Sequence, residues 1–220
     1  MNRGQFITLE GSEGAGKSTN VAVICDCLNA AGVDYHHTRE PGGTPLAEYL
    51  REALLQDWQE PVDGLTELFI VFAARRQHIL QEIEPRLAAG QWVVCDRFTD
   101  ATYAYQGSAR GVDQQYIATL EQWVQEQLQP DLTIYLDLAP QQAETRIADR
   151  PKDRLEMEQR SFFEAVRQGY LQRAQSHTRI QLVDAGRPLD QVQQAVAEII
   201  QKFLTSTQNR QGAVNQPREE

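Results

Sequence analysis

The residues with the most chemical content lie near the amino terminus. The stretch FITLEGSEGAGKST, Phe6 to Thr19, passes from an apolar run into glycines and then into Lys17, Ser18 and Thr19. Gly11, four residues, and then Gly16-Lys17-Ser18 have the spacing of a phosphate-cradling loop. Backbone N–H groups reach phosphate oxygens only where the chain comes close, and glycines at 11, 14 and 16 remove the Cβ atoms in the way. The loop formed by Gly11, Ser12, Glu13, Gly14, Ala15 and Gly16 would thus wrap the phosphates of a nucleotide such as ATP. The helix that follows would aim its N-terminal amides and positive dipole end at the same point. Lys17 would reach the β- and γ-phosphates, and Ser18, next to Thr19, would ligate Mg²⁺.

Two further groups of charged residues need a place. Asp96 and Arg97, in VVCDRF, fall at the carboxyl end of an expected strand, where open α/β sheets bind ligands. Asp96 would hold Mg²⁺ through water, and Arg97 would clamp a phosphate with two N–H groups. An Asp–Arg ion pair that merely closes the strand is the alternative. The segment RIADRPKDR carries Arg146, Arg150, Lys152 and Arg154 against Asp149 and Asp153. It reads either as a solvated corner between helices or as a lid that brings an arginine over a transferred phosphate. Pro151 interrupts the helical pattern there.

The elements that must position these groups alternate. Strands are expected at Gln5–Glu10, Val33–Thr38, Gln91–Asp96, Leu132–Leu138 and Gln181–Asp184. Apolar stripes at helical spacing predict helices over Ser18–Ala31, Thr44–Leu55, Leu65–Leu87, Asp113–Leu128, Pro140–Ala148, Glu156–Ala174 and Leu189–Leu204. Pro85 should kink or end the third of these. The alternation implies an α/β fold, a doubly wound parallel sheet of about five strands flanked by helices. We expect one domain over residues 1–204, with a lid near 146–156. The polar tail TSTQNRQGAVNQPREE, 205–220, lacks periodicity and is expected to be disordered.

Bulk properties narrow the class. The chain has 220 residues, 41% hydrophobic and 24% charged, enough to bury a core without disulfides. A net charge of -10 argues against broad nucleic-acid binding. Cys25, Cys27 and Cys95 form neither a disulfide framework nor a metal spacing. His36 and His37 lack a third ligand nearby, and Trp58, Trp92 and Trp123 read as packing residues. Without a secretory signal or an apolar run long enough for a membrane span, the expected setting is the cytoplasm.

The combined set resembles the thymidylate kinase family, in the nucleoside monophosphate kinase branch of P-loop proteins. The resemblance is carried by EGSEGAGKST, TREPGGTPLAEYLR, FAARRQH, CDRFTDATYAYQGSARG, PDLTIYLDL and DRLEMEQRSFFEAVRQGYL, from about Phe6 to Leu171. It is nearest to the bacterial form, whose catalytic arginines lie in the lid, and Glu13 agrees with that. It implies that Glu13 faces the acceptor sugar and Mg²⁺, and that Glu40 and Pro41 lie against the acceptor nucleotide, where Pro41 packs on it. It places Arg75 at the acceptor phosphate or base, Arg97 across the acceptor and transferred groups, and Thr102 and Gln106 near the thymine edge. Tyr105 would lie under the deoxyribose. Arg150 and Arg154 are the implied lid cations. The family's base-stacking Phe stands four residues before its arginine. Here that position is Val71, so either Phe72 stacks in a shifted register beside Arg75, or Arg76 is the matching arginine. The implied reaction is ATP + dTMP giving ADP + dTDP, in a homodimer that binds neither nucleic acid nor membrane. A kinase for another small molecule, or a nucleotide-binding ATPase without an acceptor pocket, are the other readings of the same loop.

Overall fold

A computed structural model describes residues 3–147 and 153–214, with side chains through residue 209. Among the described residues, five strands form one parallel sheet: β1 (Phe6–Gly11), β2 (Tyr35–Arg39), β3 (Trp92–Asp96), β4 (Leu132–Asp137) and β5 (Ile180–Asp184), in the order β2-β3-β1-β4-β5. Both faces are covered, so these strands alternate between two apolar environments rather than between core and water. Ile7, Leu9, Val94 and Ile134 pack with the helices α1 (Lys17–Ala30) and α9 (Leu189–Val214) on one face. Phe6, Val93 and Cys95 pack on the other with Ile79, Ile83 and Leu87.

The register sets up the site. Leu9 pairs with Asp96 and Arg39 pairs with Asp96, so β2 and β3 end level with one another and two residues short of the end of β1. The loops after them, carrying Ser12, Glu40 and Arg97, therefore leave the sheet along one edge.

Side-chain caps fix where some of the helices begin. Thr44 accepts from the Ala47 N–H at the start of α2 (Pro45–Leu55), and Asp63 does the same for α3 (Gly64–His78). The helix expected up to Leu87 does continue past His78, by an altered route. Ile79–Ile83 is a π-helical turn, and α4 (Glu84–Ala88) follows. Pro85 has no N–H to donate and its ring would clash with the carbonyl four residues back, so the wider turn admits it without a break.

Three stretches differ from expectation. Thr99–Thr102 is helical (α5) and leads into a π-helical segment, Tyr103–Ala109, where no helix is expected from the sequence. The helices α6 (Gln114–Gln125), α7 (Pro140–Arg146) and α8 (Arg160–Ser176) follow, and α8 starts later than Glu156. The last helix, expected to end at Leu204 before a disordered tail, runs on to Val214. Thr207 is buried on it, and the Ser206 and Thr207 hydroxyls donate to the Phe203 carbonyl, so local bonds and packing carry a polar stretch. Trp92 is a packing residue, edge-on to Phe203, whereas Trp123 is 70% exposed.

Candidate active site

A cavity of about 700 Å³ opens along the carboxyl edge of the sheet and reaches from the phosphate loop to α3. The loop takes its shape from two left-handed glycines. Gly14 has φ 75°, and a Cβ there would stand 3.1 Å from the Ala143 carbonyl oxygen. Gly16 caps α1 at φ 85°. A residue with a Cβ would be strained at either position. Lys17 Nζ lies over the loop and donates to the carbonyls of Gly11 (3.1 Å) and Ser12 (3.3 Å). Burial, with the charge of Arg97 nearby, pushes its ammonium below the usual lysine value. Ser18 and Thr19 line the cavity at the start of α1.

Arg97 follows β3 with φ 70°, an unusual conformation for a residue with a side chain. Its N–H donates to the Leu9 carbonyl (2.9 Å), and the next N–H, of Phe98, donates to Glu10 Oε1 (2.7 Å). Pinned on both sides, the guanidinium turns to Glu13 (2.5 Å) and sits 5.1 Å from the Tyr105 ring centroid. The Tyr105 hydroxyl donates to the same carboxylate (2.8 Å). Burial would raise the Glu13 carboxyl, but Arg97, Lys17 and Tyr105 outweigh it and hold the group below its ordinary range. Arg97 thus pairs with the phosphate loop and not with its neighbour Asp96. Asp96 Oδ1 is buried and has no hydrogen-bond partner among the described residues.

Glu10 sits beneath this arrangement, fully buried, with the Tyr170 hydroxyl donating to its Oε2 (2.9 Å). Burial, and then the charge of Asp100, push its carboxyl from the usual 4.5 up to about 8. Between those values the folded protein keeps a proton that the unfolded chain has lost, so this group makes stability fall as pH rises from about 4.5 to about 8. Glu10→Gln can still accept from Phe98 and can donate to the Tyr170 oxygen. It should therefore flatten that fall. Urea unfolding at about pH 5.5 and about pH 8.5 measures the difference; a wild-type slope in the variant would show that Glu10 does not carry it.

The far end of the cavity is built by α3. Arg75 Nε donates to Glu40 Oε2 (2.7 Å), and His78 Nδ1 donates to Glu40 Oε1 (3.0 Å). Thr38 Oγ1 closes the chain at His78 Nε2 (2.7 Å). With Nε committed, Arg75 keeps Nη1 buried and without a hydrogen-bond partner among the described residues, and it lines the cavity. Pro41, Tyr105 and Gln106 line it too, as does Thr102, whose Oγ1 is likewise buried and has no partner among the described residues. Arg76 instead donates to the Val124 carbonyl, away from the cavity. Of the two arginines, Arg75 is the one that lines the cavity, as does Val71, four positions before it. Phe72 is not at the wall. It packs in the core with Leu68, Tyr103 and Ile117, with the Arg75 guanidinium 4.9 Å from its centroid.

Two cations are expected in a lid. Arg150 lies outside the described residues. Arg154 is turned away from the phosphate loop: it donates to the Leu54 carbonyl (2.9 Å) and pairs with Glu67 (2.8 Å). Arg146 does line the cavity, donating to the carbonyls of Gly14 (3.3 Å) and Ala185 (3.0 Å). The sequence reading missed Arg51, which lines the cavity and donates to the Pro41 carbonyl (3.0 Å). It also missed the buried Glu67 and His78. The signal was available. Arg51 falls on the same helical face as the buried Ala47 and Leu54, and Glu67 and His78 fall on the face of Leu68, Val71 and Arg75. A charge on an apolar stripe needs a partner or a ligand.

The sheet order, the loop between β1 and α1, and an acceptor end built across β2, β3 and α3 together define a P-loop nucleoside monophosphate kinase fold. The family model described as thymidylate kinase matches residues 9–196. The chain is 54% identical over 210 residues to the thymidylate kinase of Chromohalobacter salexigens, covering 94% of this chain and 99% of that one. It is 53% identical over 203 residues to that of Teredinibacter turnerae (91% and 99% covered) and 55% over 203 residues to that of Ectopseudomonas mendocina (91% and 97%). The chain belongs to the thymidylate kinase family.

Proposed function

We propose that the protein transfers the γ-phosphoryl group of ATP to dTMP, giving ADP and dTDP on the way to dTTP, as a cytoplasmic enzyme. One observation carries this reading: a single cavity holds a phosphate loop with Lys17 at one end and Arg75, Thr102 and Gln106 at the other, with Arg97 between. ATP would lie on Gly11 to Thr19, and dTMP against Pro41, Val71, Arg75, Thr102, Tyr105 and Gln106, with Glu40 holding Arg75. An oxygen of the dTMP phosphate forms the new bond to the γ-phosphorus while the bond to the bridging oxygen of ADP breaks. A phosphomonoester has its second pKa near ~6, so the attacking oxygen is already largely unprotonated at neutral pH and no general base is required. The work left is to bring two polyanions into line and to offset charge on the transferred group. Lys17 and Arg97 do this, with Glu13 and Tyr105 holding Arg97 in place.

Mg²⁺ fits the donors present. Ser18 supplies a hydroxyl at the loop, and Asp96 has a buried carboxylate oxygen without a hydrogen-bond partner among the described residues. Among the described residues no cluster of three acidic, histidine or cysteine side chains forms a closed metal cage. That suits a cation that keeps its waters and binds through phosphate oxygens. When bound, it would neutralise charge on the ATP phosphates. The segment 146–156, with Arg150 and Arg154, remains the candidate lid, and Arg146 at its start meets the loop at the Gly14 carbonyl.

No helix of the described residues is long and apolar enough to cross a membrane. Exposed Tyr49, Phe69, Leu80, Tyr116 and Trp123, on and around α2, α3 and α6, would serve as the face of a homodimer. A coupled ADP-release assay with Mg-ATP tests the main reading. Turnover with dTMP should far exceed that with dCMP, UMP or thymidine. Slow ATP hydrolysis indifferent to dTMP would overturn it in favour of an ATPase without an acceptor.

A further inference from the structure

Gln106 faces the acceptor end of the cavity, but its orientation is set from outside it. Nε2 donates to Glu67 Oε2 (3.1 Å), and both side chains are buried. A carboxylate accepts and does not donate, so the amide must present its NH₂ group to Glu67. The carbonyl oxygen is then the atom left for a ligand. Glu67 is itself held in place: Arg110 meets it at 3.0 Å and Arg154 at 2.8 Å. These contacts lie behind the wall, and Glu67 does not line the cavity.

We propose that Glu67 is the positioning residue for base selection: it locks the Gln106 amide with its carbonyl toward the acceptor base, so that the site takes a ring N–H and rejects a ring nitrogen lone pair. The inference rests on the dTMP reading above. Thymine carries a hydrogen on N3 and can donate it to that carbonyl. Cytosine carries a lone pair there, which would meet the carbonyl lone pairs in a buried site. An unanchored glutamine amide could turn over at almost no steric cost and serve either base. The discrimination therefore belongs to the Glu67–Gln106 pair and not to Gln106 alone. Arg154 adds a link in the chain: it holds the same carboxylate and also the Leu54 carbonyl at the end of α2.

The test compares kcat/KM for dTMP and dCMP, with Mg-ATP, in the wild type, Glu67→Gln, Gln106→Ala and the double variant. Glu67→Gln should lower the dTMP-to-dCMP ratio by about tenfold or more, through a higher KM for dTMP and a gain with dCMP, while kcat for dTMP changes less. In the Gln106→Ala background, the same substitution should leave the ratio unchanged to within about twofold. A folded Glu67→Gln protein with the wild-type ratio overturns the inference. So does one whose ratio moves equally without Gln106. A wild type that fails to phosphorylate dTMP refutes the functional reading instead. If Glu67→Gln does not fold, the wild type decides the matter through its ¹⁵N side-chain amide spectrum. One Gln106 amide proton should be shifted downfield and slow to exchange, with or without dTMP. Two ordinary, fast-exchanging protons would overturn the inference.

Discussion

Arg97→Ala is expected to lower kcat by about two orders of magnitude or more while the protein still unfolds cooperatively. Removing one transition-state donor from a water-poor site costs at least ~2.7 kcal/mol, which is about a hundredfold. Arg97 is well prepared for such a role. Its backbone is held by bonds to Leu9 and, through Phe98, to Glu10, and its guanidinium is steadied by Glu13 and Tyr105. It therefore needs little reorganisation when charge develops on the transferred group. Arg97→Lys should recover only a small part of the loss, because a point charge on a flexible stem cannot bridge two anionic groups as a planar fork does. Steady-state rates on protein checked by thermal melting measure the effect. A wild-type kcat from a folded Arg97→Ala protein would remove Arg97 from the mechanism.

The largest loss of stability is expected at Glu40. The resemblance suggested that this residue touches the acceptor nucleotide, but in the structure both its carboxylate oxygens are occupied by protein. Arg75 is 2% exposed and His78 0%, and both donate to it. Glu40→Ala would leave a buried guanidinium without its partner anion and a buried imidazole N–H without an acceptor. Breaking a buried pair in this way costs about 3–5 kcal/mol. Urea unfolding should show the midpoint falling with little change in slope. A shift below about 1 kcal/mol would mean that water or another group replaces the carboxylate. Glu40→Gln should lie between, keeping one acceptor for His78 and losing the charge that faces Arg75.

The legible part of this site was the part built from neighbours in sequence. The phosphate loop is nearly contiguous, so spacing alone assembles it, and short apolar runs marked β1, β3 and β4, whereas β2 (YHHTR) carries none. The acceptor end depends on contacts across the chain. Arg97 stands beside Asp96 but pairs with Glu13, 84 positions away, and no local pattern distinguishes the two carboxylates. The choice between Phe72 and Val71 turned on the rotation of α3, which packing against Tyr103 and Ile117 decides. The helix through Thr99–Ala109 was missed because no side chain caps its start and it carries a glycine, Gly107, inside. Helix propensity is weak there, and packing against α8, including Tyr105 on Phe162 and Tyr170, sustains the segment.

The π-helical turn at Ile79–Ile83 sets the phase of everything before it in the helix. Each residue advances an α-helix by about 100°. Deleting one residue from that turn would restore the ordinary repeat and, with α4 fixed against the sheet, wind α3 round by about that angle. Arg75 and Val71 would leave the cavity wall, and Glu67 would lose Gln106, without any of the four having been altered. The length of this short stretch is therefore as much a determinant of the acceptor pocket as the identity of any residue in it.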